Sequence, residues 1–376
     1  MEPVRSSSDR LHVAIVAASL RILGGQAVQA QQLLDVWRED PAVRAWLVPI
    51  NPLPPAPFHH LLGVKYVRTL VTQLWYWPLL VREIRRADVV HVFSASYASF
   101  LLSPLPAIVV ARLLGKPVVL NYHSGEAPDH LARSRIARTV LRRLVDLNVV
   151  PSRFLRDVLA AFRIPARVVA NCVDLDRFAW RDRPAPGPRL LSTRMFEPMY
   201  NVGCTVRAFA RVQQQYPDAS LMLVGDGSQG PTLRGLVAEL ALRNVTFAGR
   251  VPPHEIHRYY AEADIYVQTP SIDNMPLSVL EAFASGLPVV STDVGGVPAI
   301  LTSGVHGLLA ADNDDRAIAG RVCELLTDPP RARAMAEAAR RTCDAYTWQA
   351  VRDAWLSCYR DAAAARNHAP IPIEAA

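Results

Sequence analysis

Two carboxylates eight residues apart hold the most chemistry in this sequence. Asp273 and Glu281 lie in PSIDNMPLSVLEAFASGLPVVSTDVGGVPAI (residues 270–300). Pro276 can open a helix, because the first turn has no use for its missing N–H. Gly286 can close it. Leu277, Leu280 and Ala284 then form the buried stripe. Asp273 falls in the loop before the helix and Glu281 about a turn and a half inside it. The free N–H groups between them, around Asn274, Pro276, Leu277 and Ser278, suit hydroxyl and phosphate oxygens. Carboxylates accept from paired sugar hydroxyls. The same residues admit a plainer reading, with Asp273 as a helix cap and Glu281 in a surface ion pair.

Further glycines and polar groups stand where strands give way to helices. Gly225, Gly227 and Gly230 in SLMLVGDGSQGPTLRGLVAEL match a dinucleotide fingerprint by spacing. However, the next strand, NVTFAG, ends in Arg250 rather than an acid. Gly24-Gly25 end the first apolar run, where glycine permits close approach of a ligand to backbone, or simply makes a turn. His123, in NYHSGEA, sits at the end of another such run.

The elements that must position these groups are legible as buried parallel strands between helices. LHVAIVAASL, ADVVHVFS, KPVVLNYHS, LVDLNVVPS and ARVVANCVD read as strands in the first half, and AVQAQQLLDVW as a helix. RLLSTRM, SLMLVGDG, NVTFAGR, ADIYVQTP and LPVVSTDV repeat the alternation in the second half, with VGCTVRAFARVQQQY as a helix. The chain of 376 residues, 51% hydrophobic and 20% charged, is long enough for two cores. The expected class is α/β, with two Rossmann-like doubly wound parallel sheets facing a cleft. RDRPAPGPR (181–189) reads as the linker. The division is then 1–185, 186–345, and a closing helix and tail, 346–376, packing across both domains.

Five scattered cysteines without ligand or redox spacing read as reduced thiols, and the start has no signal-like apolar run. Both point to the cytoplasm. The apolar region 93–111, broken by Pro104 and Pro106, reads as buried helix and loop rather than a membrane span. Residues 1–185 carry 24 Lys+Arg against 14 Asp+Glu, and residues 186–376 carry 17 against 20. Arg133, Arg135, Arg138, Arg142 and Arg143 alternate with Ile136, Val140, Leu141 and Leu144. That pattern is either a solvated helix face or a face for an anionic membrane, with peripheral association on the inner membrane face. The basic stretches lack the aromatic interleaving of a nucleic-acid surface, so no nucleic-acid partner is expected.

The 270–300 stretch resembles the Glu-x7-Glu signature of the retaining glycosyltransferases of family four, which have the GT-B fold (glycosyl transferase group 1). The resemblance runs from about Leu11 to Tyr359. It implies transfer of a sugar from an NDP-sugar donor to a saccharide or lipid-linked acceptor with retention of anomeric configuration, as in cell-envelope glycan or glycolipid synthesis. It implies no metal and no cofactor beyond the donor. By resemblance Asp273, here in place of the first Glu, contacts the donor sugar, and Glu281 binds the ribose. In LLSTRMFEPMYNVGCTVRAFA (190–210) Arg194 matches a diphosphate arginine. Met199 stands where the family has a lysine, and no lysine follows Lys116. Arg194, helix N-termini and another arginine, with Arg250 as the candidate, then carry the charge of the leaving diphosphate. Gly24, Gly25, Gly225 and Gly227 fall on family loops beside the donor, and His123 on a position beside the reacting sugar. A catalytically silent sugar-nucleotide binder, a same-fold epimerase and a nicotinamide-dependent oxidoreductase are the alternatives.

Overall fold

The computed structural model describes residues 10–21, 24–64 and 66–367. The chain divides into two compact units. One comprises residues 1–169 with 352–376, and the other residues 170–351.

In the first unit six strands follow one another: β1 (Leu11–Ala17), β2 (Val43–Pro49), β3 (Val89–Phe93), β4 (Val118–Asn121), β5 (Leu147–Val150) and β6 (Arg167–Val168). They form one parallel sheet in the order β2-β1-β3-β4-β5-β6. The helices between them are α1 (Gly25–Glu39), α2 (Val67–Ile84), α3 (Tyr97–Leu102), α4 (Pro104–Leu113), α5 (Ala127–Arg133), α6 (Arg135–Arg143) and α7 (Arg153–Ala161). Every residue of β3 and β4 is buried, which is why these strands are unbroken apolar runs rather than alternating ones. Region 93–111 becomes α3 and α4, with Pro104 at the start of α4. Strand β2, at the sheet edge, was not anticipated. Its exposed Arg44 and half-buried middle blur the apolar run.

The second unit repeats the plan with β7 (Arg189–Ser192), β8 (Ser220–Val224), β9 (Val245–Gly249), β10 (Ile265–Val267), β11 (Val289–Thr292) and β12 (Leu308–Ala310). All pairs are parallel, in the order β12-β11-β10-β7-β8-β9. Its helices are α8 (Val202–Gln215), α9 (Gly230–Glu239), α10 (His257–Glu262), α11 (Leu277–Ala284), α12 (Val297–Ile300), α13 (Asp315–Thr327) and α14 (Pro329–Thr342). The last helix, α15 (Trp348–Asn367), begins in this unit and continues in the first from Arg352. The chain is thus α/β with two doubly wound sheets.

The linker expected at 181–189 lies inside the second unit, and the division falls at Val169/Ala170 rather than at 185/186. The reason is a buried cation. Arg183 is only 5% exposed and donates to the carbonyls of Ala263 (2.8 Å), Tyr260 (2.8 Å) and Ser285 (2.6 Å). Upstream, Asn171 donates to the Met275 carbonyl at 3.0 Å, and the Val173 N–H to that of Tyr346 at 2.8 Å. A stretch rich in proline and charge is thereby pinned to the second core.

Candidate active site

In the second sheet the strand order reverses between β7 and β10, the place where an open α/β sheet leaves a crevice at its carboxyl edge. Arg194 follows β7 by two residues, and Asp273 follows β10 by six. The two meet: Arg194 Nη2 lies 2.6 Å from Asp273 Oδ2, and Nη1 donates to Ser278 Oγ at 3.1 Å. Both side chains are about nine-tenths buried, at 10% and 11% exposure. The guanidinium also lies over the Tyr200 ring, 4.1 Å from its centroid. Burial alone would lower the Arg194 pKa, but Asp273 and the surrounding tyrosines outweigh it and hold the pKa above the ordinary value. Nε of Arg194 is buried without a hydrogen-bond partner among the described residues. A buried donor of that kind costs about 1–3 kcal/mol when unsatisfied.

Asp273 does not cap the helix. Its Oδ1 accepts from the Asn274 N–H at 2.8 Å, while α11 starts behind Pro276 with no side-chain cap. Helix α11 is apolar nearly all round. Ser278 through Ala284 are buried, and Leu277 is the half-buried exception to the expected stripe. Gly286 (φ +74°) ends it, where an added Cβ would come 2.8 Å from the Arg181 carbonyl.

Glu281, inside that helix, is not in a surface ion pair either. It is 8% exposed, and Tyr260 OH donates to its Oε2 at 2.7 Å. Tyr260 OH lies 2.6 Å from Thr193 Oγ1, which lies 3.3 Å from Tyr266 OH. Burial raises the Glu281 pKa to about 7, against the lowering pull of Tyr260 and the cations Arg177 and Arg194. A carboxyl poised at neutral pH beside a buried arginine and an aspartate is typical of a working site rather than a structural one.

Glycines set the backbone here. A Cβ at Gly225 would stand 2.2 Å from the Arg194 carbonyl, and one at Gly227 would stand 2.6 Å from that of Phe196. The β8 turn is therefore packed onto the loop that carries Arg194. Gly295 and Gly296, which the motif reading passed over, do the same for the acid. Their Cβ positions fall 2.0 Å from the Asp273 carbonyl and 1.8 Å from that of Asn274. Arg250, just past β9, is exposed at the neighbouring strand end and makes no hydrogen bond or ion pair among the described residues. Met199 lies in a short 3-10 turn (Pro198–Tyr200), its carbonyl accepting from the Ser271 N–H at 2.9 Å.

In the first unit Gly24 and Gly25 stand before and at the start of α1, in the connection after β1. A Cβ on either would meet nothing within 4 Å among the described residues, which therefore do not require glycine there. His123 follows β4, stacked on Phe93 with ring centroids 5.4 Å apart, and burial lowers its pKa to about 3. The imidazole is thus a neutral donor and acceptor. No group of three or more His, Cys, Asp or Glu side chains among the described residues is placed to hold a metal ion.

Two family models tile the chain. Glycosyltransferase Family 4 matches residues 24–177, and Glycosyl transferases group 1 matches residues 179–342. Glycogen synthase of Mycobacterium tuberculosis is 30% identical over 291 residues, 73% of this chain and 69% of that protein. The chain belongs to the family 4, group 1 glycosyltransferases.

This glycosyltransferase is also 28% identical to the GDP-mannose-dependent alpha-(1-6)-phosphatidylinositol monomannoside mannosyltransferase of Mycolicibacterium smegmatis. That match covers 76% of this chain and 81% of the relative. Against the sulfoquinovosyl transferase SQD2 of Arabidopsis thaliana the identity is 27%, and the chain spans 59% of that protein's length. Among solved structures, sucrose-phosphate synthase from Thermosynechococcus elongatus has a TM-score of 0.74 at 21% identity, covering 95% of this chain and all of that one. The Anabaena HepE structure in complex with UDP-glucose has a TM-score of 0.73 at 16% identity, covering 96% of this chain and all of that one. Both are likenesses of fold. The glycosyltransferase thus retains anomeric configuration and draws on a nucleotide-sugar donor, as its family does.

Tyr260, Thr193 and Tyr266 escaped the sequence reading. RYYAEADIY carries no motif, and only the fold reveals that Tyr260 in α10 reaches Glu281. The pair Gly295-Gly296 escaped it too, although it lies within the 270–300 stretch.

Proposed function

We propose that the cluster of Arg194, Asp273, Ser278 and Glu281 at the β7/β10 reversal binds the donor. Glu281 accepts the ribose hydroxyls, Arg194 faces the diphosphate, and Asp273 with the N–H groups of Asn274, Leu277 and Ser278 orients the sugar. The observation that carries this reading is the buried Arg194–Asp273 pair beside a carboxyl that titrates near neutrality. Arg194, already desolvated, neutralises the charge that grows on the leaving diphosphate without reorganising water. The sugar passes through an oxocarbenium-like state, and the acceptor oxygen arrives on the face the diphosphate leaves. Gly24 and Gly25, where the described residues leave space, belong to the donor phosphates by this reading. His123, neutral, hydrogen-bonds the sugar. The Gly225-Gly227 turn holds the Arg194 loop in place, and exposed Arg250 adds positive charge. By this reading no cofactor beyond the donor takes part, and chelators should leave turnover unchanged.

The acceptor we propose is a saccharide carried on an anionic lipid. The mannosyltransferase relative is named for such an acceptor. Exposed Arg135, Arg142 and Arg143 on α6 give the first unit a basic face for it, and Val140 and Leu141 of that helix face the core. The protein then works peripherally at the inner membrane face.

The test is a panel of UDP-, GDP-, ADP- and TDP-sugars, scored for binding and for slow release of free nucleotide. Selective binding with release supports the reading and names the donor. Loss of both in Arg194→Ala ties them to this cluster. No binding to any donor sinks it. A second reading, a silent sugar-nucleotide binder, is favoured by Met199 in place of the family lysine. It predicts selective binding with no turnover on any lipid or saccharide acceptor.

A further inference from the structure

Helix α2 breaks the rule for a surface helix. Its inward face (Tyr76, Leu80, Ile84) packs into the first core with 0% exposure. The solvent-facing side should then be polar. Instead Leu70, Leu74 and Trp77, one turn apart, are 69%, 68% and 42% exposed, and Tyr66 just before the helix is 74% exposed. Neighbouring elements expose further apolar side chains. Phe58, in the preceding 3-10 turn, is 41% exposed and touches Trp75 with ring centroids 5.2 Å apart. Leu102, at the end of α3, is 40% exposed, and Gln73 of α2 donates to its carbonyl at 2.9 Å. Scattered exposed leucines need no explanation, but three large apolar side chains on successive turns of one helix do.

Charge says what covers it. Between residues 51 and 86 the sequence holds five basic residues (Lys65, Arg68, Arg82, Arg85, Arg86) and one acid, Glu83. Arg68 is exposed at the start of α2, and Arg82, Arg85 and Arg86 are exposed around its end. Arg82 and Arg86 share Glu83, at 2.7 and 3.9 Å, so the single acid leaves the region basic. An apolar stripe with a tyrosine and a tryptophan, bounded by arginines at both ends, is the pattern of a helix lying in a membrane interface. Leucines enter the acyl boundary there, aromatic rings sit at headgroup level, and arginines meet lipid phosphates. None of the described helices is long and apolar enough to cross a membrane.

We propose that this face of α2, with the 3-10 turn before it, docks the protein on an anionic lipid bilayer. The α6 arginines act only as long-range attraction. The proposal extends the lipid-borne acceptor reading by naming the element that seats on the membrane.

The test is co-sedimentation of the full-length protein with vesicles of phosphatidylcholine alone and of phosphatidylcholine with phosphatidylglycerol, with no donor or acceptor present. Binding is expected to the mixed vesicles and to be much weaker to the neutral ones. Leu74→Ser with Trp77→Ser should lower the partition coefficient by about tenfold or more, each side chain adding an apolar burial of the usual size. Leu74 is 68% and Trp77 42% exposed, so the thermal midpoint should fall only modestly and the variant stay folded at the assay temperature. Arg135→Glu with Arg142→Glu should weaken binding mainly at low salt. Three results overturn the proposal: no binding of the unmodified protein to either vesicle, undiminished binding of the α2 variant, or a dimer that the α2 variant splits while vesicle binding persists. The last would give the face to a second copy. UDP- and GDP-sugar binding on the same samples is a separate readout, so failure of docking is distinct from failure of the donor site.

Discussion

At the scale of single residues, Glu281 makes the sharpest claim. Its pKa is raised to about 7 by burial. Below about 4.5, the ordinary value, the acid is protonated folded and unfolded alike, and burial carries no penalty. Between 4.5 and 7 the unfolded chain ionises while the buried acid keeps its proton, so stability falls as pH rises, by up to about 3 kcal/mol. Above 7 the loss is complete. Glu281→Gln should flatten that slope in urea titrations run across the interval. Binding should respond the opposite way. Ribose hydroxyls donate, and an ionised carboxylate accepts from both, so nucleotide affinity should climb as pH passes through 7. The variant should lack the climb and bind roughly tenfold or more weaker at pH 8. A flat profile in the unmodified protein would remove Glu281 from the ribose. Tyr260 follows from the same network. Its hydroxyl stabilises the ionised acid, so Tyr260→Phe should move the midpoint of the affinity profile to higher pH. A midpoint that stays put would make the hydrogen bond incidental.

Elements decide whether these residues meet, and they were unevenly legible. Asp273 and Glu281 stood out by their spacing around one helix start, but that spacing left a cap and a surface ion pair open. With Arg194 they took their roles from the family resemblance; what the structure adds is that Arg194 meets Asp273. The long-range partners were not legible. Nothing in RYYAEADIY tells that α10 delivers a hydroxyl to α11, and nothing in RDRPAPGPR reveals that five backbone carbonyls wait for Arg183. Both depend on closure of the sheet order, which local pattern does not encode. Glycines separate the two kinds of information experimentally. Gly295→Ala drives a Cβ to 2.0 Å from the Asp273 carbonyl in a turn with φ +53°. It should cost about 2 kcal/mol or more and weaken donor binding along with stability. Gly24→Ala meets no atom of the described residues within 4 Å. If donor phosphates approach that backbone, the methyl should reduce donor affinity with the urea midpoint unchanged. Loss of stability instead would return Gly24 to being a simple turn.

For the whole molecule, the chain order and the packing order differ. After the second unit is complete, α15 joins the sheet of the first, and it is built in rather than laid on. Tyr359 is fully buried, its hydroxyl 2.9 Å from His91 Nδ1 in the middle of β3, and Trp355 stacks on the same imidazole at 4.8 Å. Arg352 holds buried Asp40 at the end of α1, with one contact at 3.0 Å. His91 needs this cover. In a fully buried strand its ring is held neutral by desolvation, with a pKa lowered to about 3, and Tyr359 is its hydrogen-bond partner. The core of the first unit is therefore completed by a helix that follows the second unit in the chain, although its strands come first. Tyr359→Ala should remove both a large core side chain and that hydrogen bond, destabilising the first unit by about 3–5 kcal/mol. The Glu281 site lies in the other unit and keeps all its neighbours. The expected result is a new early transition in urea followed by tryptophan fluorescence, with nucleotide affinity retained below that transition. A single unsplit transition would mean that the two units unfold as one, and loss of nucleotide binding in native buffer would mean that the first unit's integrity is required to hold the donor.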